Sequence, residues 1–112
     1  MTTTVGASGT QACTLDTEHT LADVSVAGFH GLEIEIPSAA TAADLFVFRK
    51  YTKLDDSGDT FYQSGPAITL RGSGAIRHES PFAPAQTAVA TRFTVEQTDA
   101  TGRTIGWAVY SS

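Results

Sequence analysis

The sequence predicts an all-β fold: an antiparallel β-sandwich, with a jelly roll as the expected topology, and a flexible N-terminal arm. Three features of the chain predict it. Apolar and polar residues alternate with a period of two in several segments, turn residues recur at short intervals, and no long segment shows the 3.6-residue period of an amphipathic helix. The pattern accommodates about eight strands, the number found in a jelly roll.

The length of the chain bounds the number of domains. With 112 residues, of which 41% are hydrophobic, the chain is long enough for one compact core and too short for two. Residues 1–10 are small and polar, so we expect a mobile arm there unless a partner holds it. The remaining residues, 11–112, are expected to form the single sandwich domain.

The first two strands are predicted over residues 11–15 and 19–26. In the second of them the alternation slips after Leu21, which indicates a β-bulge. Gly28 then ends the segment, so a third strand is expected to begin just after it.

The third predicted strand, residues 29–36, alternates most clearly. Every second residue from Leu32 to Ile36 is apolar, and the two residues between them are Glu33 and Glu35. This pattern is typical of an antiparallel sheet with one buried and one solvated face. The two carboxylates lie about 7 Å apart along the strand, which is compatible with an inverting glycosidase pair. A solvated polar face is the favoured interpretation, because no aromatic-lined cleft is evident.

The middle of the chain consists of short segments separated by turn residues. Residues 39–44 are compatible with a loop or one helical turn. The acidic residues Asp55, Asp56 and Asp59 form the predicted loop of a hairpin, and they lack the spacing of a calcium-binding EF-hand loop. Strands are predicted over residues 45–54, 60–63, 67–70 and 75–78.

The last quarter of the chain predicts a β-hairpin. Residues 89–97 alternate with a period of two, residues 98–102 form a polar turn, and the alternation resumes at Ile105, Trp107 and Val109. We expect the two strands to pair with each other and to serve packing.

No group of residues predicts catalysis, a metal site or a cofactor. His19, His30 and His78 are far apart and lack the paired spacing of zinc ligands. The single cysteine, Cys13, lies among small residues and is interpreted as a buried strand residue. Because neither a nucleophile elbow nor a catalytic triad is present in the sequence, we expect a protein that is not an enzyme and binds no cofactor.

The charge argues against two classes of partner. The net charge is -5, and the seven basic residues are scattered along the chain, whereas binding to nucleic acid depends on clustered Lys and Arg. No apolar run approaches the roughly 20 residues of a membrane-spanning helix, and the start of the chain has no hydrophobic segment. We therefore expect no nucleic acid, no membrane and no secretion.

Three segments of the chain resemble small virion proteins of tailed bacteriophages. They are the Thr-rich start in residues 1–10, the Asp-Thr-Glu-His segment in residues 16–22, and the pattern Gln-Thr, Thr-Gly-Arg and Trp-Ala within residues 94–108. Such proteins are commonly of the capsid decoration, or cement, type. The resemblance implies a β-sandwich on the exterior of the capsid, reached from the host cytoplasm during assembly, with the major capsid protein as its partner.

An acidic sandwich without catalytic groups suits this role, and a homodimer or higher assembly would strengthen attachment through avidity. The candidate capsid or self-association contacts are Thr2, Thr3, Thr4, Val5 and Phe82. For Phe82 the alternative is packing within its own domain, as is common for an aromatic residue in a proline-bracketed loop. Two other functions stay open: a tail or head-neck connector subunit, and a carbohydrate-binding module.

Overall fold

The computed structural model describes residues 4–25, 28–53, 60–83, 85–87 and 89–111. These residues form two antiparallel β-sheets and no helix, so none of them belongs to a helix long and apolar enough to cross a bilayer. The strands are β1 (Thr4–Ala12), β2 (Glu18–Val24), β3 (Gly28–Ile36), β4 (Leu45–Lys53), β5 (Tyr62–Gln63), β6 (Ile68–Arg71), β7 (Arg77–Glu79), β8 (Ala85–Thr87), β9 (Ala90–Asp99) and β10 (Thr104–Ser111).

The two sheets have the same layout. The first sheet has the order β1-β10-β3-β7, and β8 also pairs with β3. The second has the order β2-β9-β4-β5, and β6 also pairs with β4. Each sheet therefore has four strand positions across its width, which we call lanes. The last lane is shared by two short strands that pair with different parts of one long strand. The predicted antiparallel β-sandwich is confirmed at this level.

The core lies between the sheets and is built by the predicted alternation. In β3 the three apolar side chains from Leu32 to Ile36 are buried, while Glu33 and Glu35 are exposed. The second sheet contributes large aromatic side chains from β4 and β9, and each such side chain stabilises the fold by about 1.5–3 kcal/mol when fully buried. The largest of the fully buried side chains are Phe46, Phe48, Phe93, Leu32, Ile34 and Ile36.

The predicted hairpin at the end of the chain is wrong. β9 lies in the second sheet between β2 and β4, and β10 lies in the first sheet between β1 and β3. The turn of residues 100–103 crosses from one sheet to the other, with Ala100 at a φ of 69°. The two strands face each other across the core, so Val95 and Ile105 are both fully buried. A period of two shows which side of a strand is buried, but not which strand is its partner.

The predicted mobile arm is wrong for residues 4–10. They form most of β1, which pairs with β10 from Thr4 to Ala12. Gly9 lies against the Trp107 indole, where a Cβ atom would come within 3.2 Å of the ring. Main-chain hydrogen bonds hold this strand without an apolar side-chain pattern, which is why the composition did not predict it. The bulge predicted in the second strand is confirmed by a register shift between Thr20 and Ala22.

Candidate functional site

The outer face of the first sheet carries a shallow groove of about 540 Å³. It is formed by the outward positions of neighbouring strands. β10 provides a low floor, because its outward residues here are Gly106 and Ala108, while its inward residues reach the core. The other side chains that line it on the outer face are Ser8 and Thr10 of β1, Glu33 and Glu35 of β3, and His78 of β7.

One wall of the groove is acidic. The Glu35 carboxylate lies 2.8 Å from the Nε2 atom of His78, which stands directly opposite it on β7. Both side chains are at least half exposed. Glu33 makes no ion pair with any residue that the structure describes. The wall can therefore accept hydrogen bonds or receive a positive charge from outside the chain.

The other side of the groove is the edge strand β1. Among the described strands, β10 is the only one paired with β1, so the second edge of β1 carries main-chain groups without a strand partner. Because Ser8 and Thr10 lie on this strand, the groove extends to the open edge. At the far end of β10, the ring of Tyr110 covers Gly31, where a Cβ atom would be only 2.5 Å from the ring.

The outer face of the second sheet is different, because its charged side chains bind one another. Arg49 lies between two carboxylates that face each other across β2 and β9, at 2.9 Å from Glu96 and 3.9 Å from Glu18. Glu18 also accepts hydrogen bonds from the hydroxyls of Tyr51, at 2.7 Å, and Thr94, at 2.5 Å. Burial raises the pKa of Glu18, but these hydrogen bonds and Arg49 outweigh it and leave the pKa below its ordinary value.

A second group of contacts closes this face at one end. Arg92 binds Asp23 with two hydrogen bonds of 2.7 and 3.1 Å, and its guanidinium carbon lies 4.1 Å from the centroid of the Phe61 ring. The depression between these groups measures about 250 Å³. Of its polar side chains, Glu18, Tyr51, Arg92 and Thr94 already have partners within the fold, which indicates a structural role.

A buried polar cluster joins the two sheets at one end of the sandwich. Asp44 is fully buried and accepts hydrogen bonds from the backbone amides of Thr41 and Thr101, at 2.8 and 3.1 Å, and from Gln97 and Arg103. Gln97 in turn accepts a bond from the Arg103 amide at 2.9 Å. Burial raises the pKa of Asp44, but the hydrogen bonds from the amides and from Arg103 lower it by more. The pKa of Asp44 therefore lies below its ordinary value.

This cluster has no free chemical group. Every buried side-chain nitrogen or oxygen atom of the described residues has a hydrogen-bond partner. The arrangement fixes the turn of residues 100–103 against the loop before β4, and it leaves no carboxylate or amide aimed at a ligand. We therefore interpret the cluster as a structural clamp.

The predicted contact residues are not brought together as one site. Thr2 and Thr3 lie outside the described residues, whereas Thr4 and Val5 begin β1, opposite Ser111 and Tyr110 of β10. Phe82 is buried, with 9% of its surface exposed, and its ring lies 6.2 Å from the Phe93 ring. It packs within the domain, which is the alternative that the sequence left open.

The other residues singled out from the sequence are dispersed. His19 accepts a hydrogen bond from the Thr14 amide, and His30 is buried. Burial raises the pKa of the Cys13 thiol to about 11, so the thiolate required for nucleophilic attack is scarce at neutral pH. Within the described ranges, no group of three or more His, Cys, Asp or Glu side chains could hold a metal ion. The Asp55, Asp56 and Asp59 loop lies outside these ranges.

Comparisons of the chain with protein-family models, with curated proteins and with solved structures find no match. The groove and the neighbouring edge of β1 are therefore the features of the molecule that bear on its function. Sequence reasoning found the two glutamates of the groove but missed its floor. The available signal was the pair of small residues, Gly106 and Ala108, at the outward positions of a strand whose inward positions are large.

Proposed function

We propose that this protein is a structural virion protein of the decoration, or cement, type, which binds the outer surface of a phage capsid and bridges major capsid protein subunits. One observation carries the proposal: the long, uncharged edge strand β1 lies beside a groove floored by small residues. A main-chain edge and a groove floor of small residues suit broad contact with another protein better than they suit catalysis.

The order of the strands supports a jelly roll, which is common among capsid and lectin domains. When the two short strands of each shared lane are counted as one, the chain has eight lanes. Each of the pairs β1 and β2, β3 and β4, and β9 and β10 then has one member in each sheet, as expected when a long antiparallel ribbon wraps around a core. We propose this topology as the basis of the virion role.

The side of the molecule that meets the shell is proposed to be the outer face of the first sheet. Glu33 has no ion-pair partner among the described residues and Glu35 contacts only His78, so both exposed carboxylates can receive cationic side chains of the major capsid protein. The outer face of the second sheet is a poorer candidate, because binding there would have to displace ion pairs that already stabilise the fold.

A carbohydrate-binding module is the second candidate, because two carboxylates line the groove and the Tyr110 ring lies over Gly31 beyond it, at the end of β10. Carboxylates accept hydrogen bonds from sugar hydroxyls, and jelly rolls are frequent among lectins. A glycan array separates the two functions, since a decoration protein should give no sugar-specific signal.

The direct experiment is to add the purified protein to empty capsid shells of the same phage and to measure the bound copies by quantitative mass spectrometry. We expect saturable binding with many copies, in a fixed ratio to the major capsid protein. A connector subunit would instead be recovered at the copy number of one ring. Absence of binding to shells, together with absence of the chain from purified virions, would contradict the proposal.

A further inference from the structure

We propose that the open edge of β1 pairs with β1 of a second copy of this chain, antiparallel and around a two-fold axis, so that two first sheets become one continuous sheet. Its relevance to the virion rests on the proposed function, whereas its test uses the isolated protein. The inference names the strand that makes the dimer and the chemistry of its partner.

The open edge of β1 has none of the usual features that prevent pairing between chains. Exposed edge strands are normally protected by charged residues, by proline or by being short. β1 has nine residues, Thr4–Ala12, with neither a charge nor a proline among them. It does contain a register shift between Val5 and Ala7, so the stretch from Ala7 to Ala12 is the regular part that can accept a partner.

The other edges of the sandwich are protected. β2, which borders the second sheet, carries Glu18 and Asp23 and a bulge. The opposite edges are formed by strands of two to four residues, and two of these contain Arg. The difference singles out β1 as the edge that remains available for pairing.

A second copy is the occupant that fits this edge best. Antiparallel pairing of a strand with itself is self-complementary, because both copies present the same surface. Two copies of a chain with a net charge of -5 repel each other, and like charges placed directly opposite on paired strands are destabilising. β1 is the long edge along which no charge faces its own copy. Its small side chains, from Ala7 to Thr10, also let the two backbones approach.

The pairing would join the two grooves. Ser8 and Thr10 point to the outer face, so their copies would lie together at the centre of the continuous sheet. Five strand spacings then separate the two copies of β3, which corresponds to about 24 Å at the usual spacing. The dimer would present one broad trough with an acidic wall, Glu33 and Glu35, on each side.

The test is the mass of the purified protein in solution, measured by analytical ultracentrifugation over a range of concentrations. We expect the parent to form a species of twice the 11.8 kDa monomer. The double variants S8E/T10E and S8K/T10K place like charges across the pair in a register centred on Ser8, Gly9 or Thr10. Each variant alone should be monomeric, and an equimolar mixture of the two should recover a dimer.

The control is the pair T69E and T69K, which add one charge of the same sign at an exposed threonine on β6, an edge strand of the second sheet. These variants should dimerise like the parent. Circular dichroism establishes that each variant is folded. If a β1 variant does not fold, hydrogen exchange of the parent gives an independent measurement: amides of β1 should become more protected as concentration rises, and amides of β2 should not.

Three results would overturn the inference. They are a parent that stays monomeric at its highest soluble concentration, a dimer that persists in both charged β1 variants, and a mixture of the two that stays monomeric. A shell-binding protein that is monomeric in solution would refute this pairing without refuting the proposed function. A protein that dimerises in this way but does not bind capsid shells would refute the proposed function without refuting this pairing.

Discussion

The two outer faces of the sandwich differ in how their charged residues are used. On the second sheet, Arg49 and Arg92 bind the carboxylates of neighbouring strands, so the charges of this face hold its strands together. On the first sheet, Glu33 has no ionic partner among the described residues, and Glu35 contacts only the exposed imidazole of His78. The charged side chains of the second sheet are paired with one another, whereas the carboxylates of the first sheet are available to a partner.

This difference separates two uses of charged residues on the surface of one domain. Charged residues that stabilise a fold have partners at hydrogen-bonding distance, and removing them lowers stability. Charged residues kept for a partner have little effect on the isolated domain. The two faces can therefore be distinguished by their effects on unfolding and on binding.

The largest loss of stability is expected from replacing the buried carboxylate, Asp44. Replacing Asp44 with Ala leaves Gln97, the Thr101 amide and Arg103 without their shared acceptor. We expect the free energy of unfolding to fall by about 3–5 kcal/mol, as when one member of a buried charged pair is removed. Urea denaturation measures this loss. A decrease smaller than that of the surface variants below would show that the cluster is not a clamp.

The network on the second sheet should give the next largest effect. The R49M variant keeps an unbranched apolar stem but removes the guanidinium, which leaves Glu18 and Glu96 as like charges on facing strands. We expect a loss of about 1–2 kcal/mol, between the values of exposed and of well-bonded ion pairs. The control is R71M, because the exposed Arg71 side chain binds, among the described residues, only the Ala42 carbonyl. Equal losses of unfolding free energy in R49M and R71M would show that the ion pairs of Arg49 do not stabilise the fold.

The same network predicts an acid-dependent loss of stability. Glu18 has a lowered pKa in the folded state, so its contribution is present above its ordinary pKa of about 4.5 and is lost as the pH falls through the folded value. The E18Q variant should be less stable at neutral pH and should show a shallower loss on acidification. Urea unfolding from neutral pH to about pH 3 measures both slopes. Parallel slopes for E18Q and the parent would contradict this role.

The groove should give the smallest effect on stability. Changing Glu33 and Glu35 to Gln removes two exposed carboxylates, and the free energy of unfolding should change by no more than about 0.5 kcal/mol at either site. Binding to capsid shells should nevertheless weaken, and the difference from the parent should shrink at high salt. R71M again serves as the control for binding. Full occupancy of the shells by E33Q/E35Q would show that the outer face of the first sheet does not bind the capsid.

The sequence predicted the local structure better than its assembly. The alternation in β3 fixes which side chains are buried, since a period of two is a property of the strand itself. Strand pairing depends on residues far apart in the chain, which explains the wrong hairpin between β9 and β10. The short β8, Ala85–Thr87, was not predicted, because three residues are too few to show a period.

The candidate site was predictable only in part. Glu33 and Glu35 were recognised as a polar face from their spacing. The edge of β1 was not, because Gly, Ser and Thr also occur in mobile segments and the order comes from main-chain pairing with β10. The alternation of residues 89–97 was expected, whereas the bonds of Gln97 to Asp44 and to the turn of residues 98–103 depend on contacts that no local pattern shows.

The most direct test of the central claim is a reconstruction of the intact phage particle in which this chain is traced. The account predicts a β-sandwich repeated over the exterior of the shell, with the outer face of the first sheet against the major capsid protein. A shell that lacks this chain, or a chain confined to one ring at the neck or tail, would contradict it.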